Sequence, residues 1–159
     1  MMIVVGIDGS RGSDEAVRWV AHHGAALDAS VTAVHVLSRV DLWELAALQI
    51  DTAPILTKRR EQLRVGWTEP LRAAGLRVTC RLLRGDPAVE LLKLADHRDA
   101  DLLVVGGKRH TALHDMVLGG TAHKVVNHSN RPVVLVPTPI PPSSRRSSSS
   151  DTRKVRPLL

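Results

Sequence analysis

Two glycine pairs, each followed by polar or charged residues, are the part of this sequence that best fits ligand chemistry. Gly106-Gly107 ends an apolar run and precedes Lys108 and Arg109, and Gly119-Gly120 precedes Thr121. Glycine after a parallel strand lets backbone approach a ligand closely, and glycine at a helix start exposes N–H groups that attract anions. The pattern predicts a polyphosphate held between the two turns, with the cations and the hydroxyl as further ligands. The alternative is that the glycines serve only tight connections.

The histidines and serines do not form a recognisable catalytic or metal motif. His110 and His114 are four residues apart, and the other six histidines are scattered. A catalytic zinc site needs about three convergent ligands, and no H-E-x-x-H motif is present. We therefore expect surface or helix-terminal histidines and no metal. Ser10 lies in Asp-Gly-Ser rather than G-x-S-x-G, and there is no Walker lysine motif, so we assign no catalytic residue.

The composition is that of one soluble globular domain. A hydrophobic fraction of 43% and a charged fraction of 24% in 159 residues fit a single core. The only aromatic residues are Trp19, Trp43 and Trp67, so the core must be aliphatic. No apolar run approaches the roughly 18 residues that span a bilayer, and the start does not resemble a signal peptide. With Cys80 as the single cysteine, which we expect to be a small buried hydrophobe, the sequence predicts a cytoplasmic protein.

The formal charge of +6 raises the question of a nucleic-acid partner. Residues 138–159 contain five basic residues and one acid, which leaves a net charge of +2 on residues 1–137. The globular part is thus nearly neutral, and we expect no specific nucleic acid and no membrane as partner. The sequence predicts an α/β domain over 1–137 and a basic Ser/Pro-rich tail over 138–159 with the composition of a disordered segment.

Alternating apolar and amphipathic segments predict the fold. Five runs have strand character: 3–7, 31–37, 77–83, 102–105 and 133–136. Helical patterns follow Ser13 as an N-cap, cover 55–74, run from the N-cap Asp86 to about His97, and resume at Gly119-Gly120; a helical turn is also expected at 43–48. Repeated β-α units predict an open parallel sheet with helices on both faces. Ligands bind such sheets where strand order reverses, which we place between strands one and four, with Asp8 beside Gly106.

Several of these segments together resemble the universal stress protein family over essentially the whole globular part. The matching runs are Ile3-Val4-Val5-Gly6-Ile7-Asp8-Gly9-Ser10 with Ser13 and Ala16, Gly85-Asp86-Pro87, Asp99-Ala100-Asp101-Leu102-Leu103-Val104-Val105-Gly106 and Asn130-Arg131-Pro132-Val133-Val134-Leu135-Val136-Pro137. The resemblance implies a Rossmann-like fold, a homodimer formed through the last strand, and, in one branch of the family, ATP binding.

The ATP-binding branch carries glycine, two residues, glycine, nine residues, glycine, then Ser or Thr. Gly106 and Gly119 match the first and third positions, whereas Arg109 and Gly120 depart at the second and fourth, and Thr121 lies one place late. A long side chain at a position that needs close backbone approach can fill the pocket, or its charge can pair with a phosphate. Two further positions come from the resemblance: Asp8 matches the acidic residue near the adenosine, and Val36 falls where main chain meets adenine.

Three functions remain open from the sequence. The first is a non-enzymatic, dimeric stress-response protein that binds an adenine nucleotide, ATP, as a regulatory ligand. The second has the same fold and dimer with no nucleotide, and acts through protein partners. The third is a slow adenine-nucleotide hydrolase, for which Asp8 is the one candidate base.

Overall fold

Strands and helices alternate along the chain. The computed structural model describes residues 1–109, 116–117 and 119–139. In chain order the elements are β1 (Met2–Gly6), α1 (Arg11–Gly24), β2 (Ser30–Leu37), α2 (Arg39–Ala47), α3 (Ala53–Glu61), α4 (Glu69–Ala73), β3 (Arg77–Arg84), α5 (Pro87–His97), β4 (Leu102–Arg109), β5 (Met116–Val117), α6 (Gly120–His128) and β6 (Val133–Pro137). Among the described residues no helix is long and apolar enough to cross a bilayer. The predicted tail lies outside the described residues from 140 onward.

The main sheet has five parallel strands in the order β3-β2-β1-β4-β6. This order confirms the predicted open parallel α/β fold, and β3 lies at one edge of the sheet. Because β1 pairs with β2 on one side and with β4 on the other, the strand order reverses between β1 and β4. The sheet therefore has its switch point at the two strands that precede Asp8 and the Gly106-Gly107 pair.

Side-chain alternation along β1 divides the core into two layers. Ile3 and Val5 pack on one face of the sheet with α1 and with Leu63 and Leu71 from the 62–73 region. Val4 packs on the other face, against α5 and α6. All five side chains are at most 1% exposed. Helices thus cover both faces of the sheet. This packing places the N-termini of α1 and α6 at the switch point.

The long helix predicted over 55–74 is wrong, because it is broken in the middle. α3 ends at Glu61, a π-helical turn follows at Gln62–Gly66, and α4 begins at Glu69. Pro70 has no N–H group and cannot continue the helical hydrogen-bond ladder, so carbonyls of the preceding turn accept from another donor. The buried Thr68 hydroxyl donates to the carbonyls of Leu63 at 2.7 Å and Arg64 at 3.2 Å. The break brings Trp67 beneath the turn that follows β1.

β4 does not end at its glycine pair. The strand continues through Gly106-Gly107 to Arg109, and its last two residues pair antiparallel with the short strand β5. The sequence predicts a break at these glycines, since glycine weakens a strand, but here glycine permits a close helix contact instead. The part of the chain between β5 and β4, residues 110–115, lies outside the described residues.

Candidate functional site

The turn after β1 is fixed by hydrogen bonds from its own side chains. Asp8 Oδ1 accepts a hydrogen bond from the Ser10 backbone N–H at 2.9 Å. Ser10 is the N-cap of α1, because its Oγ accepts from the Ser13 N–H at 3.3 Å. The prediction that Ser13 is the cap is therefore wrong: the cap lies three residues earlier, and the Ser13 hydroxyl donates back to the Ser10 carbonyl at 2.9 Å. These bonds hold Asp8 in place at the switch point.

Gly9 is required in this turn for two reasons. Its φ is +78°, a conformation that L side chains rarely adopt. A Cβ at this position would also lie 2.8 Å from Cζ2 of Trp67. The turn after β1 is therefore built directly against an indole ring, and its shape depends on that ring.

Gly106 allows α1 to approach β4 more closely than any side chain would permit. A Cβ on Gly106 would lie 2.1 Å from the carbonyl carbon of Gly12 and 2.7 Å from the Ser13 nitrogen. Both are backbone atoms, so neither can rotate away. The Thr138 hydroxyl donates to the adjacent Gly107 carbonyl at 2.7 Å and ties the end of β6 to the same place. Gly106 is therefore a packing residue of the switch point as well as a predicted ligand-site residue.

A cleft of about 120 Å³ opens at the carboxyl ends of β1, β2 and β4. Asp8, Val36, Gly106 and Thr121 line it together, although they come from four separate segments of the chain. Apolar side chains form the other wall, with Leu91 of α5 among them. The structure thus brings together four of the residues predicted from sequence, in a place where an apolar ring and a polar group would both find contacts.

The N-terminus of α6 forms the rim of this cleft. Gly119 is the N-cap, Gly120 is the first helical residue, and Thr121 follows it. Gly120 is exposed, and among the described residues no atom outside its own helix and its chain neighbours lies within 4 Å of the position that a Cβ would take. The first N–H groups of a helix have no partner within the helix and attract anions. Lys108 and Arg109 lie at the end of β4, but their side chains are outside the described part of the structure.

An ion pair links α6 to α5 next to the cleft. Lys124 Nζ donates to Asp86 Oδ2 at 2.8 Å, while Asp86 Oδ1 accepts from the N–H groups of Ala88 and Val89. The hydrogen bond from Lys124 and those from the helix N–H groups hold the pKa of Asp86 below its usual value. Asp86 is thus the N-cap of α5, as predicted, and it also fixes how α6 sits beside that helix.

A second, larger compartment of about 580 Å³ adjoins the cleft. The two share Asp8, Val36 and Pro87, so they form one continuous depression along the strand ends. The second compartment lies beneath α2 and α3, and its volume is within the range of small-molecule sites, about 300–1,000 Å³. Sequence reasoning did not single out this compartment, since α2 has no clear period.

His35 forms part of the wall of that compartment and is only 7% exposed. Its Nδ1–H donates to the Ile7 carbonyl at 2.7 Å, and its ring meets Trp67 edge-on at 5.1 Å between centroids. The guanidinium of Arg59 lies 5.8 Å from the Trp67 ring centroid. The expectation of surface or helix-terminal histidines is therefore wrong for His35, which lies in β2 and faces the strand ends.

The remaining histidines and the single cysteine lie away from the cleft or outside the described residues. His22, His23, His97 and His128 lie in the last turns of helices, as expected, whereas His110 and His114 lie outside the described residues. Cys80 is half-buried rather than buried. Within the described ranges no group of three or more His, Cys, Asp or Glu side chains could hold a metal ion.

The fold and the cleft define a class of protein: an open parallel α/β domain with its candidate ligand site at the carboxyl ends of the strands, where strand order reverses. The model of the universal stress protein family matches residues 1–137. The chain therefore belongs to this family, and the resemblance found in the sequence is confirmed.

Two curated relatives show how far the similarity extends. A universal stress protein of Methanocaldococcus jannaschii is 29% identical over 146 residues, which cover 86% of this chain and 82% of that protein. A universal stress protein of Mycolicibacterium smegmatis is 29% identical over 143 residues, which cover 84% of this chain. The match spans about half, 47%, of that longer relative.

Two solved structures share the fold. The protein MJ0577 superposes with a TM-score of 0.72 at 21% identity, over 88% of this chain and 97% of its own. A universal stress protein solved in complex with cAMP superposes with a TM-score of 0.60 at 26% identity, over 87% of this chain and 98% of its own.

Proposed function

We propose that this chain is a non-catalytic stress-response protein that binds an adenine nucleotide, ATP, as a regulatory ligand. One observation carries the proposal: the cleft at the switch point is lined jointly by Asp8, Val36, Gly106 and Thr121. Support also comes from the related universal stress protein solved with cAMP, which contains an adenine nucleotide. A universal stress protein from Archaeoglobus fulgidus was likewise solved with dAMP.

The geometry suggests which residues hold which part of the nucleotide. The adenosine lies against Val36 at the end of β2, with the Asp8 carboxylate within reach of its polar groups. The phosphates lie toward the α6 N-terminus, where Gly119 and Gly120 offer backbone N–H groups and Thr121 a hydroxyl. In this proposal Lys108 and Arg109 add positive charge near the phosphates. Because no side chain of the described residues crowds Gly120, a phosphate oxygen can approach its backbone closely.

The proposal is tested by titrating the purified chain with ATP in a calorimeter, after mass spectrometry of small molecules released on denaturation. We expect bound adenine nucleotide and measurable heat. Asp8→Asn keeps an oxygen for the Ser10 N–H but removes the charge, so ATP affinity should fall about tenfold, as expected for loss of a hydrogen bond to a charged group. The matched control is Asp14→Asn in the first turn of α1, which does not line the cleft and should leave affinity unchanged.

Two outcomes would contradict this function. Absence of both bound nucleotide and titration heat would favour the alternative in which the same fold acts through protein partners without a nucleotide. Steady ADP release that disappears in Asp8→Asn would instead show a hydrolase.

We also propose that the chain forms a homodimer through β6. This strand pairs only with β4 among the described residues, so its other side has backbone groups available for a second copy. Val133, Val134 and Leu135 are only half-buried in a single chain. Sedimentation equilibrium at micromolar concentration should give twice the 17.3 kDa chain mass. A species of a single chain mass would contradict the dimer.

A further inference from the structure

Charge is distributed unevenly within the nearly neutral globular part. Residues 58–85 contain eight Lys or Arg and two Glu, whereas residues 1–57 contain three Arg and seven Asp or Glu. None of the eight cations in 58–85 forms an ion pair with an acid in the described part of the chain. A cationic surface of this kind attracts anionic partners and raises their association rate.

Four of these eight cations lie at the edge strand β3, and a fifth arginine, Arg98, joins them from outside residues 58–85. Arg77, Arg81 and Arg84 are exposed on the strand itself. Arg72 of α4 reaches the strand from one face of the sheet, where its Nη2 lies 3.7 Å from Cys80 Sγ. Arg98, at the end of α5, lies on the other face. We call these five arginines the β3 basic edge.

The two faces beside β3 differ in character. On the α5 face, Arg81 and Arg98 line a depression of about 460 Å³ together with Leu83, Leu94 and His97. On the α4 face, the half-buried Val78 and Cys80 pack against the core and leave an apolar margin beside Arg72. Glu69 lies on that face too, in a depression it shares with Arg64 and Arg72. One face is therefore cationic, and the other is mainly apolar with a cationic border.

The outer side of β3 also has backbone groups to satisfy. All eight residues pair with β2 on the inner side, and no backbone hydrogen bond of the strand leads elsewhere among the described residues. Every second residue of an edge strand directs its N–H and C=O away from its neighbour. An added strand would satisfy these groups, and its alternate side chains would meet the cationic face and the apolar margin in turn.

We propose that the β3 basic edge is a docking site for an extended acidic segment of another protein, added as a strand in which acidic and apolar residues alternate. The acidic side chains pair with Arg77, Arg81 and Arg98, and the apolar ones cover Val78 and Cys80. A second copy of this chain does not fit, because two β3 edges would place like charges opposite each other.

A single-stranded nucleic acid fits less well than a peptide. Such strands are held by bases that stack on aromatic side chains beside a basic groove. The chain has only three aromatic residues, and none borders this edge: Trp19 stacks on His23 in α1, Trp67 lies against Gly9, and Trp43 is in α2. The strand edge further offers a row of backbone hydrogen bonds that only another strand uses fully.

The test uses a fluorescein-labelled peptide of alternating Glu and Val, equal in length to the eight residues of β3. Fluorescence anisotropy at low ionic strength should show binding, and amide hydrogen exchange should slow in β3. Arg77→Glu with Arg81→Glu should weaken binding by more than about tenfold, since each change places like charges together. A milder pair, Arg77→Gln with Arg81→Gln, should also weaken it. The matched control, Arg18→Glu with Arg39→Glu, makes the same change in net charge away from the edge and should leave binding unchanged.

Several outcomes would overturn the proposal. Equal loss of binding in the control pair, or equal binding of a peptide with all Glu before all Val, would reduce the effect to general charge attraction. Unchanged exchange in β3 would exclude an added strand. Tighter binding of an oligothymidylate or of phosphatidylserine vesicles, lost in the Arg77 and Arg81 variants, would assign the edge to a different class of partner. ATP titration of the same variants keeps this result separate from nucleotide binding.

Discussion

Replacing Gly106 by alanine should lower the free energy of unfolding by about 3 kcal/mol, the upper part of the range for overpacking a well-packed core. The new methyl group would lie 2.1 Å and 2.2 Å from the carbonyl carbon and oxygen of Gly12. Because these atoms belong to the backbone at the start of α1, relief requires the helix to move away from β4. Urea unfolding of the variant beside the parent chain measures the change.

The matched control is Gly120→Ala, in the second glycine pair. Within the described part of the chain, the new methyl group meets no atom within 4 Å outside its own helix and chain neighbours, so stability should change by no more than about 0.5 kcal/mol. A Gly106→Ala variant as stable as Gly120→Ala would contradict the packing role. In that case the glycine at 106 would serve ligand approach alone, and ATP titration of the stable variant would show a loss of affinity.

Replacing Trp67 by alanine should lower the free energy of unfolding by about 2–3 kcal/mol, somewhat below the effect at a fully buried aromatic residue. The ring packs against the core and carries three contacts near the site: with Gly9, with the His35 ring and with the guanidinium of Arg59. Its removal leaves a cavity beneath the turn that holds Asp8. Urea unfolding measures the loss, and ATP titration should show weaker binding in the same variant.

Trp43→Ala provides the comparison, since Trp43 is 72% exposed and its removal leaves no cavity. Its stability should remain within about 0.5 kcal/mol of the parent. Equal losses in the two tryptophan variants would show that Trp67 has no special role beneath the turn. Trp67→Phe, which restores part of the ring, should recover part of the stability and keep the turn in place.

Much of the fold follows from local sequence signals. Apolar runs of strand length separated by amphipathic segments specify a parallel sheet covered on both faces, because each strand must bury both sides. Asp86 followed by Pro87 specifies the start of α5, since the carboxylate caps the helix and proline needs no hydrogen-bond donor there. The adjacency of Asp8 and Gly106 follows once strand order is assumed to reverse between β1 and β4.

Where the sequence misled, long-range contacts outweighed local ones. The sequence predicts that the strand breaks at Gly106, yet β4 continues through this residue. The glycine is required there because α1 packs so closely against it that a side chain would not fit. The periodic pattern over 55–74 reads as one helix, yet Thr68 closes it with its hydroxyl and brings Trp67 under Gly9. Neither α1 beside Gly106 nor Gly9 beside Trp67 is near in sequence, so no local pattern could show these two contacts, whereas Thr68 and Pro70 are local signals of the break in the helix.

The sequence by itself determined the family, the order of the five parallel strands and their helices along the chain, and four of the residues that line the cleft at the strand ends. These depend on periodicity, capping and motif spacing, which are local and can be read along the chain. Only the tertiary structure decided that Gly106 packs against the backbone of α1, that His35 is buried beside the site, and that four of the eight cations in residues 58–85 lie at the exposed edge strand β3. Each of these depends on which distant segments meet in space, and that is fixed by packing of the whole domain.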